Sequence, residues 1–136
     1  MDAVEAHRKA PPGNRVMGWL LPEADRARLL EHVPPRYDRV VAHHVTLRPR
    51  VAAAEGAMPD ETAGTVVGVS DDGRGVQALV VRIAGTTQRP DGGTYHITWS
   101  LAPGRQPKES NDVIARHGWQ PLESPVPVRL EPGLVG

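Results

Sequence analysis

The run Val41–Leu47, VAHHVTL, and its near repeat at Thr94–Leu101, TYHITWSL, constrain the fold more than any other part of the chain. Both are rich in β-branched or aromatic residues, which suit a pleated, half-buried surface. Side chains at i and i+2 of an extended strand point to the same side, so His44 shares a face with Thr46 and His96 with Thr98. The chain must therefore build a sheet containing two strands that each present an imidazole beside a hydroxyl. By the same alternation His43 points away from His44, as a surface or core-edge imidazole, while Tyr95 and Trp99 point away from His96 into the core. The sequence holds six histidines, and chance would supply only about 0.3 His-x-Thr triplets in such a composition.

The remaining elements lie between proline and glycine breakers. Residues 1–14 read as a flexible tail ending in Pro11-Pro12-Gly13, and residues 15–136 as a single compact domain. Arg15–Leu21 has the pattern of a first strand. Pro22 then suits the opening of a helix whose first turn carries Glu23 and Asp25, whose apolar face is Ala27, Leu29, Leu30 and Val33, and whose end is set by Pro34-Pro35. Arg39–Leu47 reads as one strand buried on both faces, and Arg48–Glu61 as a loop with an alanine-rich centre able to form one helical turn. Thr65–Val69 and Val76–Ile83 flank an Asp-Gly hairpin signal at Asp72-Gly73. Gly85–Gly93 is a polar connection. Ser110-Asn111-Asp112 can cap a short helix through Arg116, ended by His117-Gly118, and Val126–Leu130 is a last strand whose Pro127 suits a sheet edge. The expected architecture is α+β, a mostly antiparallel sheet of about six strands with about two helices.

Charge and composition limit the function. Lys+Arg and Asp+Glu both number 16, so the chain lacks the basic surface of a non-specific nucleic-acid binder and must hold any anion at a local site. The absence of cysteine removes disulfides, thiolate zinc sites and cysteine nucleophiles. The first dozen residues mix charges with prolines, unlike a signal peptide or anchor, and no window approaches the roughly 18 apolar residues of a spanning helix. A cytoplasmic protein without a membrane partner is the expectation.

Two imidazoles and two hydroxyls suit phosphoryl transfer without a cofactor. One histidine accepts a proton from the attacking oxygen and the other donates one to the departing oxygen, since histidine titrates near neutral pH. Thr46 and Thr98 can donate hydrogen bonds to the non-bridging oxygens. Arg48, Arg50, Arg105 and Lys108 lie just beyond the two strands, where they can guide a phosphate or an RNA backbone. A helix N-terminus at Ser110 and Asn111 would be a further anion site. A metal held by His43 or His44 with His96 and Asp38 lacks any recognised ligand spacing. Trp19, Trp99, Trp119, Tyr37 and Tyr95 are the only side chains on which a base can stack.

The paired HVT at His44–Thr46 and HIT at His96–Thr98 resemble the two signature motifs of the 2H phosphoesterase superfamily. That superfamily includes cyclic phosphodiesterases, RNA 2′,5′-ligase-like proteins and the cyclic phosphodiesterase domain of fungal tRNA ligase. Pro107-Lys108-Glu109-Ser110-Asn111 is similar to a Pro-x-x-Ser-Asn stretch of its RNA-repair branches. The resemblance implies two small pseudo-symmetric lobes around a cleft, with one motif from each. It also implies metal-independent hydrolysis of a 2′,3′-cyclic phosphate on an RNA terminus or nucleotide, with His44 and His96 catalytic. Two alternatives share the same four groups: a module that binds a nucleotide or RNA end without turnover, and RNA 2′,5′-ligation. The motifs stand closer together than in larger members, which implies trimmed lobes.

Overall fold

A computed structural model describes residues 15–51 and 59–135; the expected tail and the alanine-rich centre lie outside the described residues. The protein is an α+β fold of two helices and an eight-stranded antiparallel sheet. In chain order the elements are β1 (Arg15–Leu20), α1 (Glu23–His32), β2 (Arg39–Val40), β3 (His44–Val51), β4 (Ala63–Asp71), β5 (Val76–Arg82), β6 (His96–Leu101), α2 (Glu109–His117), β7 (Gln120–Arg129) and β8 (Glu131–Val135). The strands lie side by side in the order β7-β4-β5-β6-β3-β1-β8, with β2 pairing β6. Prolines fall on both outer strands, Pro127 in β7 and Pro132 in β8, where a missing N–H costs no ladder bond.

The helices cover opposite faces. On one, Leu29 and Val33 of the α1 segment pack with Trp19, Val45, Val66, Leu79, Val81, Ile97, Trp99 and Val126 in the main core. On the other, Ile114 of α2 packs with Val67, Ala78 and Val80. Adjacent residues Val66 and Val67 of β4, and Leu79 and Val80 of β5, thus serve different cores, as the two-residue period of a strand requires. Central strands buried on both faces explain the nearly unbroken apolar run of β5, whose Val76–Val81 are all buried.

The structure departs from the sequence expectations in several places of the fold. Eight strands replace six because β2 separates from β3 and because β8 follows β7 after one residue. Arg39–Leu47 is not one strand: it breaks at residues 41–43, where Ala42 has φ of 46°. Arg48 and Arg50 lie in β3, not in a loop, since that strand continues to Val51 through its pairing with β1. The apolar face of α1 is rotated, leaving Ala27 exposed and burying Asp25, whose carboxylate accepts the Arg129 backbone N–H. A polar group is tolerated there because it satisfies a backbone donor.

Candidate active site

The two His-x-Thr motifs meet where β3 and β6 pair. Their single register pair is Val45↔Ile97, the central residue of each motif. Antiparallel pairing at that point relates the motifs by a local twofold axis. It directs His44 toward the Thr98 side and Thr46 toward the His96 side. Val45 and Ile97 are fully buried in the main core, so the flanking histidines and threonines face the opposite side, toward α2. Beyond this pair β3 follows β1, through Leu20↔His44 and Gly18↔Thr46, while β6 follows β5, through Val80↔His96 and Ala78↔Thr98. The sheet opens between the motifs, and His44, Thr46, His96 and Thr98 all line one cavity of about 350 Å³, with Arg89, Pro107, Lys108 and Asn111.

The break before β3 changes the role of His43. In a regular strand it would point away from His44. With Ala42 in the left-handed region the chain re-aims His43, and the two rings stand edge to face with Nδ1 to Nδ1 at 2.9 Å. Arg26 of α1 donates from Nε to the Ala42 carbonyl at 3.2 Å, tying the break to the helix. Burial, then the neighbouring His43 and His96, push the His44 imidazole down to about 4. Burial, then Arg26, lowers His43 as well. When His44 Nδ1–H donates to His43, the Nε2 lone pair of His44 is left for the cavity.

His96 is held differently. Its Nδ1–H donates to the Thr94 carbonyl at 2.8 Å, which leaves Nε2 for the cavity. Burial lowers its pKa; the carbonyl bond opposes that shift and the Arg89 charge adds to it. Arg89 was missed in the sequence, where Gly85–Gly93 reads only as a connection. Its guanidinium forms a two-pronged pair with Asp91, Nε to Oδ1 and Nη2 to Oδ2 both 3.0 Å. A Cβ on Gly93 would stand 2.6 Å from Nη2, so a side chain there would force the guanidinium to shift. The Arg-x-Asp-x-Gly spacing was the available signal, but only the fold brings that turn beside His96.

The threonines also differ. Thr46 makes no hydrogen bond through its hydroxyl among the described residues. Thr98 Oγ1 donates to the Pro107 carbonyl at 3.2 Å and is 2.9 Å from Ser110 Oγ. Ser110 is fully buried in the first turn of α2. The helix begins at Glu109 with Lys108 at the N-cap and no side-chain capping bond, so Ser110 and Asn111 are not caps. The expected anion site at this N-terminus is also absent: the N–H groups of Glu109, Ser110 and Asn111 bond back to the carbonyls of Gln106, Pro107 and Lys108.

Of the other expected anion ligands, Lys108 and Asn111 line the cavity. Arg48 is exposed outside it, and the Arg50 side chain lies outside the described residues. Arg105 is placed elsewhere: it pairs with Asp72 at 2.9 Å and Glu109 at 3.0 Å and donates to the Arg74 carbonyl. Those acids claim it because the β4–β5 turn packs against the start of α2. Among the described residues no carboxylate lines the cavity of the two motifs, whose charge is therefore suited to an anion. Among the described residues no cluster of three or more His, Asp or Glu could hold a metal ion, and no helix is long and apolar enough to cross a membrane.

No protein-family model matches the chain, and searches of curated proteins and of solved structures found no match.

Proposed function

We propose that this chain is a metal-independent phosphoesterase of the 2H type, opening a 2′,3′-cyclic phosphate on an RNA terminus or nucleotide. One observation carries the reading: the two His-x-Thr motifs pair antiparallel through their central residues, so that four matched groups line one cavity. The anion would lie among Thr46, Arg89 and Lys108, with the histidines on either side. His44 is neutral at physiological pH, which leaves its Nε2 lone pair open to a proton, and it takes the general-base role. It takes a proton from water as the water oxygen bonds to phosphorus. The bond from phosphorus to one ribose oxygen breaks, and His96 protonates that oxygen, leaving a phosphomonoester and a free hydroxyl. The bound anion raises the affinity of His96 for the proton it must carry.

A module that binds the same ligand without turnover is the second reading. It is favoured by Thr98, whose single hydrogen is spent on the Pro107 carbonyl. Thr98 can serve a phosphate only by turning that hydrogen away while Ser110 donates to it. Incubation with nucleoside 2′,3′-cyclic phosphates, and with RNA ending in one, in the presence of EDTA distinguishes the two. Turnover by the wild type, reduced by about 10²-fold or more in both His44→Ala and His96→Ala, supports the enzyme. Saturable binding with no product selects the module, and equal rates in all three proteins reject the two-histidine mechanism.

A further inference from the structure

A second cavity of about 350 Å³ adjoins the first and shares Arg89, His96 and Asn111 with it. Its own walls are Gly92-Gly93, Ile114, Ala115, Gly118 and Trp119. Among the described residues no carboxylate lines it, and the two cavities meet at His96. Trp119 is the distinctive group. Its ring lies on the backbone of β4, where a Cβ on Gly68 would stand 2.0 Å from the indole Cε3. Only a glycine lets the ring settle there, beside the small core that holds Ile114. The indole is half-buried and its N–H donates to no group among the described residues. The other candidate platforms are occupied: Trp19, Trp99 and Tyr95 belong to the main core, and the Tyr37 hydroxyl donates to Asp71 at 2.6 Å.

We infer that this second cavity is a nucleobase subsite, in which the base of the nucleoside carrying the cyclic phosphate stacks on Trp119. The inference rests on the phosphoesterase reading for the position of the phosphate, and it adds the place and the side chain that hold the base. A planar ring matches a slot with an indole on one side and glycine backbone on another, because stacking needs a flat face and no side chain in the way. Asn111 stands between the two cavities, exposed, with one Nδ2–H on the Lys108 carbonyl at 3.2 Å. Its Oδ1 and second Nδ2–H remain for the edge of a base, the pattern by which an amide reads hydrogen-bonding groups. Arg89 lines both cavities, with Nε and Nη2 held by Asp91.

The test uses tryptophan fluorescence, since Trp19 and Trp99 are 1% and 0% exposed and only Trp119 can meet a ligand. Titration with a nucleoside 3′-monophosphate, corrected for its absorbance, should change the emission saturably. Glycerol phosphate at the same concentrations should not, and the response should vanish in Trp119→Leu, which keeps an apolar side chain against Gly68. In turnover, Trp119→Leu should raise KM for a nucleoside 2′,3′-cyclic phosphate about tenfold more than for the base-free glycerol 1,2-cyclic phosphate. Trp119→Phe should recover most of that difference. Equal losses on both substrates would mean a purely structural Trp119 and overturn the subsite, as would a nucleotide that binds with no change in emission. If no cyclic ester is hydrolysed by the wild type, the phosphoesterase reading fails, and the fluorescence arm still decides whether a base binds here.

Discussion

His44–Val45–Thr46 and His96–Ile97–Thr98 are almost the same tripeptide, yet the protein surrounds them with opposite resources. In the first, the histidine leans on another titratable ring and the threonine hydroxyl bonds to none of the described residues. In the second, the histidine leans on a backbone carbonyl and the threonine is knitted to α2 through Ser110 and Pro107. A carbonyl can only accept, so it fixes one tautomer of His96. A neighbouring imidazole can donate or accept, so His43 leaves the His44 proton free to move from one nitrogen to the other. The lesson is that a local twofold repeat of sequence need not give a twofold repeat of chemistry. In the proposed mechanism the asymmetry divides the roles, with the base on β3 and the acid on β6.

The largest expected effect tests that division. Both histidine-to-alanine variants should lose on the order of 10²-fold or more on a ribose cyclic phosphate. On a nitrophenyl phosphodiester, whose leaving group needs no proton, His96→Ala should recover most of its rate and His44→Ala should not. The reverse pattern would exchange the assignments, and equal recovery would erase the asymmetry.

The threonines should separate activity from stability. Thr46→Ala is expected to cost roughly 10²-fold in turnover through loss of a donor to the phosphate, with a melting temperature close to wild type. Thr98→Ala should instead lower stability by about 1–3 kcal/mol, because it leaves the buried Ser110 hydroxyl without its partner. Denaturant titration beside turnover reads both. A Thr98→Ala protein of unchanged stability would mean that the link to α2 holds nothing together.

The pH dependence of folding tests the burial that sets His44 apart. His44 is pushed down to about 4 in the folded chain from an ordinary 6.5. Between those values the unfolded chain binds a proton that the folded chain refuses, so the stability due to neutral His44 is fully present above 6.5 and is lost as pH falls toward 4. The shift corresponds to on the order of 3 kcal/mol. His43 and His96 are lowered as well and act in the same sense. Melting curves at pH 7.5 and 5 should therefore diverge more for the wild type than for His44→Gln. The same drop in both proteins would show that His44 is not the group responsible.

The elements that depend on local rules are legible in the residues alone. Proline pairs and an Asp-Gly turn mark boundaries at α1 and at the β4–β5 hairpin; two-residue alternation places Tyr95 and Trp99 in the core and His96 beside Thr98. These features are legible because each involves residues a few positions apart. Only the tertiary structure decided which charges reach the site. Arg89 enters because Gly93 leaves room for its guanidinium, and Arg105 is lost because Asp72 and Glu109 converge on it from two elements. His43 turns from a bystander into a partner of His44 because the chain breaks at Ala42, between β2 and β3. Ser110, which reads as a helix cap, is carried to Thr98 by the packing of α2 against the sheet. Each of these outcomes depends on contacts between segments distant along the chain, and such contacts leave no periodic trace in the residues that make them.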